Sequence, residues 1–186
     1  MTDNPLVSIV ITCYNYSQYI ERCIQSAIDQ TYRNIEVIVV DNGSTDNSLE
    51  KIKTFLCNPR VVIIELKKNI PPGVGKESAF GVAIQRSSGR YVSVLYADDW
   101  YLPTKIEKQV SLFSKSSNSV GVIYCHGYRY LEQSGRMSKW KHQSVRGYVF
   151  RSYLLNGDVV IPISPLVKRH CYDIVGLNNI WTGSEY

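Results

Sequence analysis

The stretch Leu6-Val-Ser-Ile-Val-Ile-Thr12 has no polar face: apolar, mostly β-branched residues follow one another with only Ser8 between them. A strand in a half-solvated sheet alternates apolar and polar. An unbroken run suits a strand covered on both sides, as in a parallel sheet sandwiched by helices. The next hundred residues repeat that requirement. Ser17 is placed to cap a helix whose Tyr19, Ile20, Cys23, Ile24, Ala27 and Ile28 share one face. A second buried strand is predicted at Ile35 to Val40, ending on Asp41. Asn42-Gly43-Ser44 then turns the chain, and Asp46 or Asn47 caps a short helix through Leu56. Val61 to Leu66 reads as a third strand, Pro71-Pro72-Gly73-Val74-Gly75 as a loop and Glu77 to Gln85 as a helix. Tyr91 to Tyr96 reads as a fourth strand, leading into Asp98-Asp99.

This β-α-β-α-β-α-β order, with short connections, predicts an α/β fold with a mostly parallel central sheet and right-handed crossovers. Ligands of such sheets bind outside the carboxyl ends of the strands. Cys13-Tyr14-Asn15, Asp41-Asn42-Gly43 and Ala97-Asp98-Asp99 each fall at such an end, so three polar clusters are expected on one rim. Beyond Leu102 the pattern changes. Pro103 suits the first turn of a helix striped by Ile106, Val110 and Phe113. Val120 to Tyr130 reads as a strand, Glu132 to Arg136 as a turn and Val149 to Leu155 as a helix. Val159 to Val167 reads as extended, with Pro162 and Pro165 confining it to an edge or an irregular path.

Composition narrows the partners. The net charge of +5 favours an anionic ligand but forms no nucleic-acid stripe, and Arg136 to Lys141 reads as a solvated loop. Five widely spaced cysteines, with no Cys-x-x-Cys pair, read as free thiols in a reducing compartment. Met1 to Pro5 is polar and leads straight into a strand, so no signal peptide is expected. The longest apolar runs are strand-length, too short for a membrane span.

Asp98-Asp99 carries the most chemistry. Adjacent carboxylates after a buried strand are costly unless they meet a cation or several hydrogen-bond donors. A hard divalent cation shared with a diphosphate is one solution; a helix cap beside a solvated carboxylate is the other. Asp41 is placed to accept a hydrogen bond from a base or ribose, or simply to serve the turn. Tyr14 offers a ring to stack on a base, or ordinary packing.

Taken together, several motifs resemble the family 2 glycosyltransferases of GT-A fold. They are Val7-Ser-Ile-Val-Ile-Thr-Cys-Tyr-Asn15, Ser26-Ala-Ile-Asp-Gln-Thr-Tyr32, Glu36-Val-Ile-Val-Val-Asp-Asn-Gly-Ser-Thr-Asp46, Gly73-Val74, and Ser88-Gly-Arg-Tyr-Val-Ser-Val-Leu-Tyr-Ala-Asp-Asp99 followed by Leu102-Pro103. The resemblance runs from Leu6 to the last residue. It implies one GT-A domain over 1–186, with a nucleotide-binding half at 6–100 and a partial acceptor-binding half at 101–186. It further implies a nucleoside-diphosphate sugar donor, UDP favoured over dTDP and GDP, and Mn²⁺ or Mg²⁺ held by Asp98 and Asp99. Thr12, Tyr14, Asn15, Asp41, Gly43, Gly73, Lys76 and Asp98 become the nucleotide-binding candidates. The acceptor would be a hydroxyl of a glycan, a lipid-linked sugar or a polysaccharide precursor, attacked with inversion. The family places its base in an acidic pair opening a later helix, which makes Glu185 the candidate; its alternative is a carboxylate on a helix dipole. Trp140, Trp181 and the tyrosines of this half offer rings for sugars or for packing. The implied location is the cytoplasm, with peripheral association at the inner membrane face compatible with a lipid-linked acceptor.

Four positions depart from the family pattern: Asn42 for Asp, Cys13 for Thr, Tyr96 for the first Asp of Asp-x-Asp, and Ser78 for Arg, with Lys76 as a substitute charge. Cys13 is expected to remove a hydroxyl from the nucleotide pocket. The family pattern also continues past Tyr186, so the expectation is a truncated or naturally short piece. A non-catalytic nucleotide-sugar-binding or protein-interaction module is the competing reading. Two other phosphate motifs fail. Gly73-Val-Gly-Lys76 lacks a Gly at position 70 and a Ser or Thr at 77, and Ser78 stands where a dinucleotide fingerprint needs its third Gly.

Overall fold

A computed structural model describes residues 4–71, 75–140, 145–147 and 165–177. Among these residues the central sheet has six strands, in the order Val61–Glu65, Ile35–Asp41, Val7–Cys13, Tyr91–Tyr96, Leu166–Lys168 and Val122–Ile123. Strands β1 (Val7–Cys13), β2 (Ile35–Asp41), β3 (Val61–Glu65) and β4 (Tyr91–Tyr96) pair in parallel. At the far side β8 (Leu166–Lys168) runs antiparallel to β4 and to the two-residue β5 (Val122–Ile123). A separate ribbon pairs β6 (Gly127–Leu131) with β7 (Arg136–Trp140).

The doubly covered strand is as expected. Odd residues of β1 (Val7, Ile9, Ile11, Cys13) join one core with the buried faces of three helices: α1 (Ile20–Ile28), α2 (Ser48–Lys53) and α4 (Lys105–Ser114). Val10 joins the second core, with Ile38, Val40 and Val92, under α3 (Ala79–Arg86). A short α5 (Arg169–Val175) adds Tyr172 to that second face. The predicted stripes of α1 and α4 point inward, and Phe113 stacks on Tyr91 at 4.5 Å between ring centroids.

Several local boundaries differ from the sequence reading. Helix α1 begins at Ile20, not behind Ser17; the Tyr19 and Ile20 amides that a Ser17 cap would have met donate to Tyr16 O instead, both at 3.0 Å. Helix α2 ends at Lys53, and single turns carry the chain on to Asn58. Ser78 caps α3 through its bond from the Gly81 amide, which moves that helix to Ala79–Arg86. Val120 to Tyr130 is not one strand. It divides at 124–126 because β5 completes the main sheet while β6 leaves it for the ribbon. Arg136 to Trp140 is solvated as expected but is a strand, paired across the Gly135 turn. The helix at Val149 to Leu155 and the extended run over 159–164 lie outside the described residues.

At the amino-terminal edge of the sheet, polar groups are saturated. Glu36 Oε1 accepts from Ser8 Oγ at 2.6 Å, Ser88 N at 2.6 Å, Ser88 Oγ at 3.0 Å and Gly89 N at 3.1 Å. One carboxylate thereby ties β1, β2 and the entry to β4. Gly89 makes this possible, since a Cβ there would lie 2.5 Å from Ser8 Oγ. Glu36→Ala strands several donors at once and is expected to cost about 2–3 kcal/mol in urea unfolding. The carboxyl-terminal rim lies a full strand away, so the substitution should leave the loops there unchanged.

Candidate functional site

The parallel strands β1, β2 and β4 bring their carboxyl ends to one rim, in register Thr12↔Val40, Cys13↔Asp41 and Thr12↔Tyr96. Half-buried Thr12 and Tyr14 stand at the end of β1. Asn15 follows in the left-handed conformation (φ 59°), which Asn tolerates better than most residues. Its Oδ1 accepts from Thr45 N at 2.8 Å, Thr45 Oγ1 at 3.3 Å and Asp46 N at 3.3 Å. Asp46 bonds back to the Ser17 amide at 3.0 Å and to the Ser48 amide at 2.9 Å. The loops after β1 and β2 are thereby laced into one platform. Asp46, read from the sequence only as a helix cap, is the lacing residue.

Asp41 sits beneath this platform with 1% of its surface exposed. Its Oδ2 accepts from Ser44 N at 3.0 Å. Its Oδ1 is the one buried side-chain polar atom without a hydrogen-bond partner among the described residues. A buried acceptor left open costs on the order of 1–3 kcal/mol, which an incoming N–H or O–H donor would recover. Gly43 (φ 73°) closes the turn against the next loop, where a Cβ would lie 2.4 Å from the Lys68 carbonyl carbon. Asn42 explains its own departure from the family pattern. Its Nδ2 donates to Ile70 O at 2.9 Å and its Oδ1 accepts from Ile70 N at 3.0 Å, a pair of bonds no carboxylate could make.

Two other departures resolve as packing. Cys13 does not face the rim: it is 2% exposed and lies in the α1 core. Burial, ahead of its hydrogen bonds, pushes the thiol up to about 11. The expectation that it takes a hydroxyl from the nucleotide pocket is therefore corrected. Ser78 is the α3 cap. Lys76 is exposed, and its recorded bond runs through its carbonyl to Gln85 Nε2. Gly73 and Glu185 lie outside the described residues.

Beyond β4, Asp98 is exposed and Asp99 half-buried, with Asp99 N turned back onto Tyr96 O at 3.0 Å. Burial first, and the neighbouring Asp98 second, raise the Asp99 carboxyl to about 6. The pair is a strained concentration of negative charge that a cation would relieve. Among the described residues no third acidic, His or Cys ligand joins it. The pair therefore fits a hard ion that completes its oxygen shell from phosphate and water.

Asp98 and Asp99 also line a cavity of about 640 Å³ bounded by α1, α4 and the β6–β7 ribbon. The Asp41 platform is not part of its wall. Arg22 of α1 places its guanidinium carbon 3.4 Å from the Trp100 ring centroid, and Trp100 meets Tyr130 edge-on at 5.2 Å. Tyr19 donates to Glu132 at 3.1 Å, a second tie between α1 and the ribbon. On the cavity floor, Lys105 Nζ donates to Ser93 Oγ and Gln109 Oε1, both at 3.0 Å, and sits 3.9 Å from the Tyr101 ring centroid. Gln109 passes the network on to Ile123 O, and Ser93 to Pro165 O. These links join the parallel strands to β5 and β8. Trp100, Lys105 and Gln109 were invisible as site residues in the sequence, where only the helical stripe around them showed.

The sequence profile of glycosyl transferase family 2 matches residues 8–166. An uncharacterized glycosyltransferase of Rickettsia typhi is 39% identical over 132 residues, which are 71% of this chain and 39% of that protein. The chain thus spans about two fifths of that relative's length. S. aureus TarS 1–349 in complex with UDP-GlcNAc superposes with a TM-score of 0.68 at 17% identity, covering 95% of this chain and 52% of that one. Mannosyltransferase PcManGT from Pyrobaculum calidifontis, in complex with GDP-Man and Mn²⁺, gives 0.66 at 20%, covering 94% and 48%. These likenesses establish the fold as the GT-A arrangement. No helix of the described residues is long and apolar enough to cross a membrane.

Enclosure drives the Lys105 ammonium down from 10.5 to about 7. Between those values the unfolded chain holds a proton that the folded chain has released, so folding gains stability as pH rises through that window. Below pH 7 the cost of the enclosed charge is fully present. In urea unfolding, native protein minus Lys105→Met is therefore expected to gain stability from pH 6.5 to 9. A flat difference would contradict the enclosed ammonium.

Proposed function

This chain belongs to glycosyl transferase family 2, and from that premise we propose that it binds a nucleoside-diphosphate sugar at the rim and transfers the sugar to an acceptor hydroxyl. The observation that carries the reading is Asp41 Oδ1, a buried, open acceptor at the end of β2. A base N–H is a fitting donor, and Tyr14 supplies a ring beside it. UDP is favoured, since uracil offers an N–H flanked by carbonyls; dTDP shares that edge, and GDP is the third possibility. TarS is described with UDP-GlcNAc and PcManGT with GDP-Man and Mn²⁺, which supports this donor class.

In this reading 6–100 is the nucleotide-binding half and 101–186 part of the acceptor-binding half. Thr12, Asn15 and Gly43 shape the floor under the nucleotide, and Gly73 and Lys76 approach the phosphates. Asp98 reaches the ribose, and Asp98 with Asp99 would hold Mn²⁺ or Mg²⁺. That ion, when bound, neutralises diphosphate charge and eases its departure. The acceptor oxygen attacks the anomeric carbon from the opposite face, giving inversion. Glu185 is the proposed base that takes its proton. The acceptor is a glycan, a lipid-linked sugar or a polysaccharide precursor. A cytoplasmic location, peripheral to the inner membrane face for a lipid-linked acceptor, follows from that choice.

Calorimetric titration of UDP, dTDP and GDP, with Mn²⁺ or with EDTA, tests the donor site. One nucleotide is expected to bind in a metal-dependent way. Asp99→Ala should lose the metal dependence. Asp41→Asn, which turns the open acceptor into a donor or leaves it mismatched, should weaken binding roughly tenfold or more while melting no lower than the native chain. No binding by any nucleotide would overturn the reading. Nucleotide binding without transfer to any acceptor would point to a binding module instead.

A further inference from the structure

We propose that the cavity between α1, α4 and the β6–β7 ribbon is an acceptor subsite for an acidic saccharide, its anionic group facing Lys105 and Lys108 and its ring facing Tyr128 and Trp140. The inference rests on the donor reading above, because Asp98 and Asp99 form one end of the same cavity. A molecule held there lies beside the sugar that the nucleotide would carry.

Three observations point to an anion. First, the Lys105 ammonium is enclosed beside a hydroxyl, an amide oxygen, a ring and the Cys125 thiol, whose own proton burial holds. An enclosed charge with no opposite charge is expensive, and an anion entering the cavity offsets that cost. The depressed protonation of Lys105 is the same expense seen from another side. Second, Lys108 follows three residues later on α4 and lines the same wall, the spacing that places two side chains on one helix face. Third, the recorded ion pairs among the described residues, Lys51–Glu21 and Lys53–Glu65, involve none of Arg22, Lys105, Lys108 and Arg129. Arg22 sits over Trp100 with its guanidinium carbon 3.4 Å from the ring centroid, a cation on the same cavity wall.

Two observations point to a saccharide. The cavity, at about 640 Å³, has room for more than one sugar ring. Tyr128 and Trp140 line it and keep 48% and 37% of their surfaces exposed, amphipathic rings of the kind that stack on the C–H face of a sugar. Asp98, Asp99 and Glu132 supply the acidic part of the lining, and Lys105 and Lys108 of α4 the basic part that would take the anion. A carboxylate on a uronate ring and a phosphate carried by a sugar ring satisfy the same wall.

The test titrates three probes into the chain: a glucuronate-containing tetrasaccharide, its carboxyl-reduced neutral counterpart, and a phosphorylated form of that neutral tetrasaccharide. At least one acidic probe is expected to bind about tenfold or more tighter than the neutral one, and which of the two does so identifies the anion. Lys108→Ala, a change at an exposed position, should remove most of that preference; Lys105→Met should do the same, with thermal melting as the check that it folds. Equal binding of the neutral probe, no binding of any probe, or a preference untouched by Lys108→Ala would each overturn the proposal. UDP titrated into the same sample separates the two readings. UDP binding without acidic preference sinks only the acceptor inference, whereas acidic preference without nucleotide binding sinks the donor reading.

Discussion

Strand β1 has no solvent-facing side, and that fact organises the molecule. Its odd residues need the α1–α2–α4 layer and Val10 needs the α3 layer, so the chain must place helices on both faces. With β2 and β3 on one side of β1 and β4 on the other, the connections out of β1 and into β4 lie on opposite faces of the sheet. A crevice is left where they diverge, at the carboxyl end of β1. Burial alone therefore decides where a ligand meets backbone ends and short polar side chains. The chemistry was placed where packing had already left an opening.

The two edges of the sheet show contrasting electrostatics. At the amino-terminal edge, Glu36 meets four donors. At the other edge, Asp41 keeps an open oxygen and two aspartates sit side by side, while Lys105 is enclosed against mid-strand Ser93, Gln109 and the Tyr101 ring. Each of these leaves stability unrealised in the protein alone, and each is corrected by a ligand of opposite character. The signs are ordered: one open acceptor under the platform, negative charge at the end of β4, positive charge along α4. That order matches a ligand set of base, diphosphate with cation, and acidic acceptor.

Much of this was readable in the residues. The β1 and β2 runs and the stripes of α1 and α4 fixed the layers, because period and burial are local properties of sequence. Asp41 and Asp98-Asp99 stood out as carboxylates after apolar strands. The roles of Asn42 and Cys13 were not legible, since each depends on which way a side chain turns at a strand end. The division of Val120 to Tyr130 was equally hidden. Whether that segment stays with β8 or pairs with Arg136 to Trp140 depends on residues far along the chain. The Arg22–Trp100–Tyr130 stack joins three segments, and no window of sequence contains it.

The five thiols give the fold an internal clock. Cys57 is exposed, Cys125 and Cys171 are partly covered, and Cys13 and Cys23 are buried in the layer that α1 lays over β1. Burial also holds the Cys13 and Cys23 protons, and only the thiolate attacks an alkylating reagent. A reagent in solution thus meets a graded series, and the last two sites report only when the central layer parts. The order in which the sulfurs become reactive is the order in which the structure opens, from the rim of the α2–β3 turn to the strand on which everything else is built.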